Sequence, residues 1–350
     1  MRALVIHAPL DLRIESQEVS SPGPDQVAVN IRAGGVCGSD LHYYKNGGFG
    51  AIRLKQPMIP GHEVAGEIAA IGGNVTGLSV GEPVTINPSL PCLDCQYCRR
   101  EEFNQCLDMR FYGSAMRFPH VQGAFCEHLI CEARQCVSLT KNTDLHHAAF
   151  AEPLAVALHA VNRAANACGG LAGKRVFVSG CGPIGLLTLM AARHAGAMEV
   201  VAADVSDFVL NTAQKVGASD TINVLTNAKH LQDYQKDKGY FDVAFEASGI
   251  EAAVHSAIAV LKPGGILTQL GLGGDITLPM NLCVAKEIQM LGSFRFHQEF
   301  EWAAKLICTG EIDVSPLLSA RISMENALSA FELAGDRSQA IKVQIAFGAA

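Results

Sequence analysis

Between Lys174 and Asp204 the chain reads KRVFVSGCGPIGLLTLMAARHAGAMEVVAAD, an apolar run of strand character, a glycine-rich turn, an apolar helical stretch and a second strand. Few folds accept that succession. Gly180, Gly182 and Gly185 form G-x-G-x-x-G, with Pro183 and Ile184 completing the turn, where glycines permit a tight bend and let backbone amides approach a pyrophosphate at a helix N-terminus. In a chain with 34 glycines the pattern alone carries little weight. Its weight comes from lying directly between a strand and a helix. The rhythm continues through DTINV, FDVAFEAS and GGILTQLGL, so the expected fold here is a doubly wound parallel sheet of the Rossmann type. Asp204, 19 residues past Gly185, ends the second strand, where a carboxylate can take the ribose hydroxyls of a bound dinucleotide. No arginine follows within Asp204–Asp207 to hold a 2′-phosphate, so NAD is expected ahead of NADP.

The first 150 or so residues have a different texture. Short β-rich runs (ALVIHA, VAVNIRA, HEVAGEIAAIG, EPVTIN) are punctuated by Gly and Pro, which predicts a strand-rich, barrel-like domain. After about residue 293 come amphipathic helices around EFEWAAKLIC and ENALSAFELA and a last strand, KVQIAF. Periodicity leaves open whether this tail extends the second sheet or returns to the first domain. The expected class is α/β in two domains, with boundaries at 1–153, 154–293 and 294–350; 350 residues are too many for one compact core.

A net charge of −7 offers no sequence-wide attraction to nucleic acid or anionic lipid. A small-molecule ligand fits better. The N-terminal run MRALVIHAPLDLRIE is too short for a signal peptide and no stretch reads as a membrane span, so a cytosolic protein is expected. Twelve cysteines in such a chain point to metal rather than disulfides.

Cys92, Cys95, Cys98 and Cys106 follow C-x2-C-x2-C-x7-C, the spacing of a closed tetrahedral zinc site, which is structural because no ligand position is left for substrate. The other cysteines downstream lack such spacing and read as small core residues. A second constellation lies upstream. Cys37 in GGVCGSDLHYY and His62 and Glu63 in PGHEVAG, with Glu152 in FAEPLAVALHAV, make a mixed S, N, O donor set suited to a catalytic zinc with an open position. Glu152 also has a plainer reading, as an acid at a helix start before Pro153.

These motifs, in this order and spanning essentially the whole chain, resemble the zinc-containing medium-chain alcohol dehydrogenases, and within them the branch acting on polyols and sugar acids. The resemblance is strongest in GGVCGSDLHYY, LKQPMIPGHEV, GSFRFHQEF and the ending LLSARISMENALSAFELAGDRSQAIKVQIAF. It implies a GroES-like catalytic domain that the C-terminal segment rejoins, an active site in a cleft beside the nucleotide-binding domain, and a homodimer or homotetramer. It implies one catalytic zinc on Cys37, His62 and a glutamate, either Glu63 or Glu152, and one structural zinc. Ser39 is expected to take the alcohol proton and pass it towards His42, and Asp40 to hold the distal N–H of His62. Arg295, with Tyr43 as a neighbour, is expected to meet a substrate carboxylate; Lys45, Arg110 and Arg117 are further candidates. The expected reaction is oxidation of L-idonate to 5-dehydro-D-gluconate, with sorbitol, xylitol and L-threonine as alternative substrates. One departure stands out: where family members often carry an arginine five residues beyond the ribose-binding acid, this chain has Val209. Outside the enzymes, the alternatives are an NAD sensor without turnover and a zinc module binding nucleic acid, which the acidic balance disfavours.

Overall fold

The computed structural model describes residues 1–348. Two compact units emerge: Met1–Glu152 with Phe300–Asp336 and the chain from Lys342 onward, and Pro153–Glu299 with Arg337–Ile341.

In the first unit the sequence QVAVNIRAGG, rich in β-branched residues, forms the central strand Gln26–Gly35, buried along most of its length. Strand Glu63–Ile71 pairs antiparallel with it and carries the sheet on through Pro83–Ile86 to Cys136–Ser138. The opposite edge of the central strand is shared by His128–Glu132 and Lys342–Ala346, and Leu318–Ser323 closes that side. The C-terminal strand Lys342–Ala346 therefore belongs to this sheet. Leu318–Ser323 runs parallel to it, and the helix Ala327–Ala334 lies between the two in sequence, as a parallel pair requires a crossover. A core including Leu4, Ile31, Phe125 and Phe331 fills the unit.

The second unit is a six-stranded, wholly parallel sheet in the order Asp220–Asn223, Glu199–Asp204, Arg175–Ser179, Phe241–Glu246, Leu261–Gln269, Gln289–Gly292. That is the doubly wound order in which the chain reverses direction beside the first strand, and ligands bind beyond the carboxyl ends there. Val176, Phe177 and Val178 are fully buried, which explains their near-continuous apolar run.

The tail expected as one piece, 294–350, is divided. Residues 294–299 and 337–341 pack with the nucleotide unit and the rest with the first. Glu299 explains part of this division, because its carboxylate accepts from His159 Nδ1 at 3.0 Å and Asn162 Nδ2 at 3.2 Å on the helix Ala151–Cys168.

Candidate active site and zinc centres

The mixed cluster is assembled by strand register. Gly35 pairs with Glu63 across the two central strands, so Cys37 and His62 emerge at the same end of the sheet. The sulfur of Cys37, a ring nitrogen of His62 and a carboxylate oxygen of Glu63 lie within 4.8 Å of one another. A side chain at Gly35 would overlap the Glu63 carboxylate, which accounts for the second of the paired glycines before Cys37.

Cys37 caps the helix Gly38–Asn46, an element absent from the sequence reading. Asp40 sits in its first turn, fully buried. One carboxylate oxygen accepts from the Cys37 N–H and the other from the Gly61 N–H, both at 3.0 Å. The expected bond from His62 to Asp40 is not formed, because Nδ1 stands 3.9 Å away. Asp40 instead ties together the two loops that carry Cys37 and His62.

Electrostatics distinguish the two glutamates. Lys342, buried in the C-terminal strand, donates to both oxygens of Glu63 at 2.8 and 2.7 Å and to the Val36 carbonyl at 3.2 Å. Glu63 is thus neutralised within the protein. Glu152 is 6 % exposed, makes no hydrogen bond among the described residues, and lies outside the 4.8 Å group although it feels the charges of His62, Glu63 and Cys37. Burial pushes its carboxyl up to about 8. Burial, then the charge of Glu63, pushes the Cys37 thiol up to about 12. His62 Nδ1 is buried without a partner among the described residues. A thiol and a carboxyl that resist ionisation, beside an unpartnered imidazole nitrogen, are what a donor set looks like when a divalent cation would supply the missing compensation, so these residues fit zinc.

Around this cluster, Ser39 is half-buried, while His42 is exposed, its ring 5.7 Å from that of Phe49. Tyr43 is 1 % exposed and its hydroxyl accepts from the Ala115 N–H at 3.0 Å. Its buried ring braces the Ala115 loop, in contrast to the substrate contact expected of it. Arg117 is likewise occupied, donating to the carbonyls of Met109 and Leu107 and pairing with Asp108. Lys45 and Arg110 are exposed.

The four-cysteine lobe is a separate structure. Its sulfurs are 3.5 to 3.9 Å apart along the contacts Cys92–Cys106, Cys95–Cys98 and Cys92–Cys98, too far for disulfides and right for ligands sharing one ion. Backbone N–H groups of Cys92 and Asp108 donate to the Cys106 sulfur and that of Cys95 to the Cys92 sulfur, while the backbone N–H groups of Cys98 and Leu107 bring the Cys95 thiol down to about 6.

In the nucleotide unit Gly180 adopts φ +84°, and a Cβ there would meet Ser248 at 2.9 Å; one on Gly185 would overlap the Gly180 carbonyl. Gly182 caps the helix Pro183–His194. The missing side chains let the loop close tightly on itself and on Ser248, as the turn into this helix requires. Asp204 accepts from the N–H groups of Cys181 at 2.7 Å, Val205 at 2.7 Å and Ser206 at 3.0 Å, fixing the strand end to the glycine loop.

Two family profiles match the chain: the alcohol dehydrogenase GroES-like domain over residues 23–141 and the zinc-binding dehydrogenase over residues 183–309. L-idonate 5-dehydrogenase (NAD(P)(+)) of Escherichia coli (strain K12) is 45 % identical over 322 residues, covering 91 % of each chain. The crystal structure of the E. coli L-idonate 5-dehydrogenase superposes with a TM-score of 0.94 at 42 % identity, covering 99 % of this chain and 98 % of that one. Bovine (Bos taurus) sorbitol dehydrogenase is 33 % identical over 335 residues, 94 % of this chain and 92 % of its own. The chain is a zinc-dependent, NAD(P)-linked medium-chain dehydrogenase.

In this dehydrogenase the departure at Val209 has a structural cause. Val209 is 3 % exposed, packed into the core by the helix Asp207–Lys215, so that position offers no cation to a 2′-phosphate. Arg295 is half-buried in a left-handed conformation, φ +56°, its guanidinium 5.0 Å from the centre of the Phe294 ring. A few residues on, Glu299 accepts from the His297 N–H at 2.8 Å as well as from His159 and Asn162, and His297 lies 4.9 Å from His159, ring to ring. Burial pushes the Glu299 carboxyl up, but these donors outweigh it and hold it at about 2. Neither Lys342 nor this buried node is legible in the sequence, where nothing local marks their distant partners.

Proposed function

We propose that this dehydrogenase oxidises L-idonate to 5-dehydro-D-gluconate with NAD as hydride acceptor. The substrate reading is supported by the 45 % identity to the E. coli L-idonate 5-dehydrogenase. The chemistry rests on one observation, the half-buried Cys37 and buried His62 near a buried Glu152 carboxylate that accepts no hydrogen bond among the described residues.

Cys37, His62 and Glu152 would hold the catalytic zinc, with Glu63 set aside by its pairing to Lys342. Zinc, when bound, supplies Lewis acidity that brings an alcohol O–H within reach of ionisation near neutral pH. Ser39 accepts the alcohol proton. His42, three residues on and on the same side of the helix, is open to water and releases it. Arg295 pairs with the substrate carboxylate. NAD, when bound, supplies the nicotinamide ring that accepts the hydride, and Gly180, Gly182 and Gly185 seat its pyrophosphate while Asp204 takes the ribose hydroxyls. An acid at that strand end, and a buried valine where a cation would help NADP, favour NAD. Cys92, Cys95, Cys98 and Cys106 hold the structural zinc.

The enzyme is a homo-oligomer in this reading. Gln289–Gly292 is an edge strand largely exposed, with Met290, Val284 and Met280 open to solvent around it, and an open edge beside apolar side chains favours pairing with a second copy. All twelve cysteines are free thiols, which suits the reducing cytosol, and no helix among the described residues is long and apolar enough to cross a membrane.

The test is NADH formation by zinc-loaded enzyme offered L-idonate, sorbitol, xylitol and L-threonine, each with NAD and NADP. L-idonate with NAD is expected to give the highest kcat/KM, above neutral polyols by about 10²-fold because a neutral polyol offers the Arg295 guanidinium no carboxylate. A preference for sorbitol would refute the carboxylate pocket, and NAD binding without turnover would favour a sensor.

A further inference from the structure

Arg337 opens the short stretch Arg337–Ile341 that packs with the nucleotide unit while the chain on either side of it belongs to the other unit. Its guanidinium lies on the glycine loop. Nη1 falls 2.5 Å from the point where a Cβ would stand on Gly182, so any side chain at 182 would evict it. Gly182 is the cap of a twelve-residue helix and offers no side chain to the first-turn N–H groups. A positive group is therefore held beside the positive end of a helix, an arrangement that costs free energy until an anion joins the two.

Among the described residues the protein supplies no such anion. Arg337 is exposed and makes no hydrogen bond or ion pair among the described residues. Asp204, the acid attached to this loop, already accepts from three backbone N–H groups at Cys181, Val205 and Ser206. A guanidinium presents paired N–H donors in a plane that matches two phosphate oxygens, which a lone amide or an ammonium does not.

We propose that Arg337 is a cofactor-binding residue whose guanidinium closes on the pyrophosphate of NAD alongside the amides of the glycine loop. The proposal rests on the reading of that loop as the cofactor cradle. It gives Gly182 two duties: to admit the pyrophosphate, and to leave space for a cation that lies outside the 183–309 stretch matched by the zinc-binding dehydrogenase profile. Because the side chain is exposed and unbonded, its removal leaves the fold intact.

The experiment measures the affinity of the full zinc-loaded enzyme for NADH by fluorescence titration, with ADP-ribose and adenosine as competitors, at low and at moderate salt. Wild type is compared with Arg337→Ala, Arg337→Gln and Arg337→Lys. Loss of the charge is expected to weaken NADH and ADP-ribose about tenfold while adenosine, which lacks the pyrophosphate, changes less than about twofold. The deficit should shrink as salt rises, and Arg337→Lys should recover part of it. Equal NADH affinity in wild type and Arg337→Ala would overturn the proposal. So would an equal loss for adenosine, or full recovery in Arg337→Gln, since both would assign the effect to shape rather than charge. If wild type bound neither NADH nor ADP-ribose, the cofactor reading itself would fall, and the proposal with it.

Discussion

The two metal-ligand clusters of this enzyme are built on opposite principles. The Cys92–Cys106 lobe draws its four ligands from fifteen consecutive residues, and backbone N–H groups of the same loop brace its sulfurs. The proposed catalytic set, Cys37, His62 and Glu152, would draw its ligands from three distant segments, with Cys37 half-buried and His62 and Glu152 buried, and Lys342, about three hundred residues from Cys37, pairs with the neighbouring Glu63. A contiguous loop organises its ion locally, so loss of that ion should damage structure. An assembled cluster is held by the fold, so loss of its ion should damage chemistry. The difference separates stability from turnover, and each of the following variants tests whether that separation holds.

The largest effect is expected at Glu152. Glu152→Gln should lower kcat by about 10³-fold or more, with a melting temperature near that of wild type, because a neutral amide is a poor zinc ligand and the fold does not rely on this carboxylate. Retained turnover together with a lost zinc in Glu63→Gln would reverse the assignment of the two glutamates.

Next is Lys342→Met, which leaves the Glu63 carboxylate buried without its cation. Thermal unfolding should show a loss of about 3–5 kcal/mol, the cost of orphaning one member of a buried pair. An unchanged melting temperature would mean that Glu63 finds another partner, and the electrostatic distinction between the glutamates would then weaken.

In the lobe, Cys106→Ser should remove the structural zinc and lower the melting temperature, while the variant keeps substantial turnover at temperatures where it remains folded. Chelation should sharpen the same contrast. The open catalytic site should release zinc first, so activity should fall before the calorimetric transition moves.

The smallest effect isolates burial from metal binding. Glu299, free of any metal, is held at about 2 against an ordinary value of 4.5. Since its folded value is depressed, its contribution to stability is complete above pH 4.5 and is lost as the pH falls through that window towards 2. Glu299→Gln should therefore be less stable than wild type at pH 7, and the gap should narrow on titration from pH 4.5 to 3, followed by chemical denaturation. A gap constant over that range would contradict the carboxylate's role in tying the 294–299 segment to His159.

What the sequence revealed follows the same division between local and assembled features. The four-cysteine spacing, the strand–GCGPIG–helix succession and the apolar strands of the parallel sheet depend on neighbours in the chain, and each appears in the structure as a local element. The destination of the tail did not follow from periodicity, since KVQIAF reads equally well in either sheet; its place beside Gln26–Gly35 is set by register. Lys342 is invisible for the same reason, being one lysine at the start of an apolar strand. The roles expected of Tyr43 and Asp40 in the chemistry come from the family resemblance. The helix Gly38–Asn46 instead turns Tyr43 into the core and spends both oxygens of Asp40 on backbone N–H groups.

The contrast between the clusters is decided most directly by the zinc content of purified Cys37→Ala measured beside wild type. Two zinc ions per chain in wild type and one in the variant, with the melting temperature preserved and L-idonate turnover gone, is the expected result. A variant that still carries two ions, or a wild type that carries only the ion of the four-cysteine lobe while turning over L-idonate, would contradict the assignment of catalysis to the Cys37 cluster.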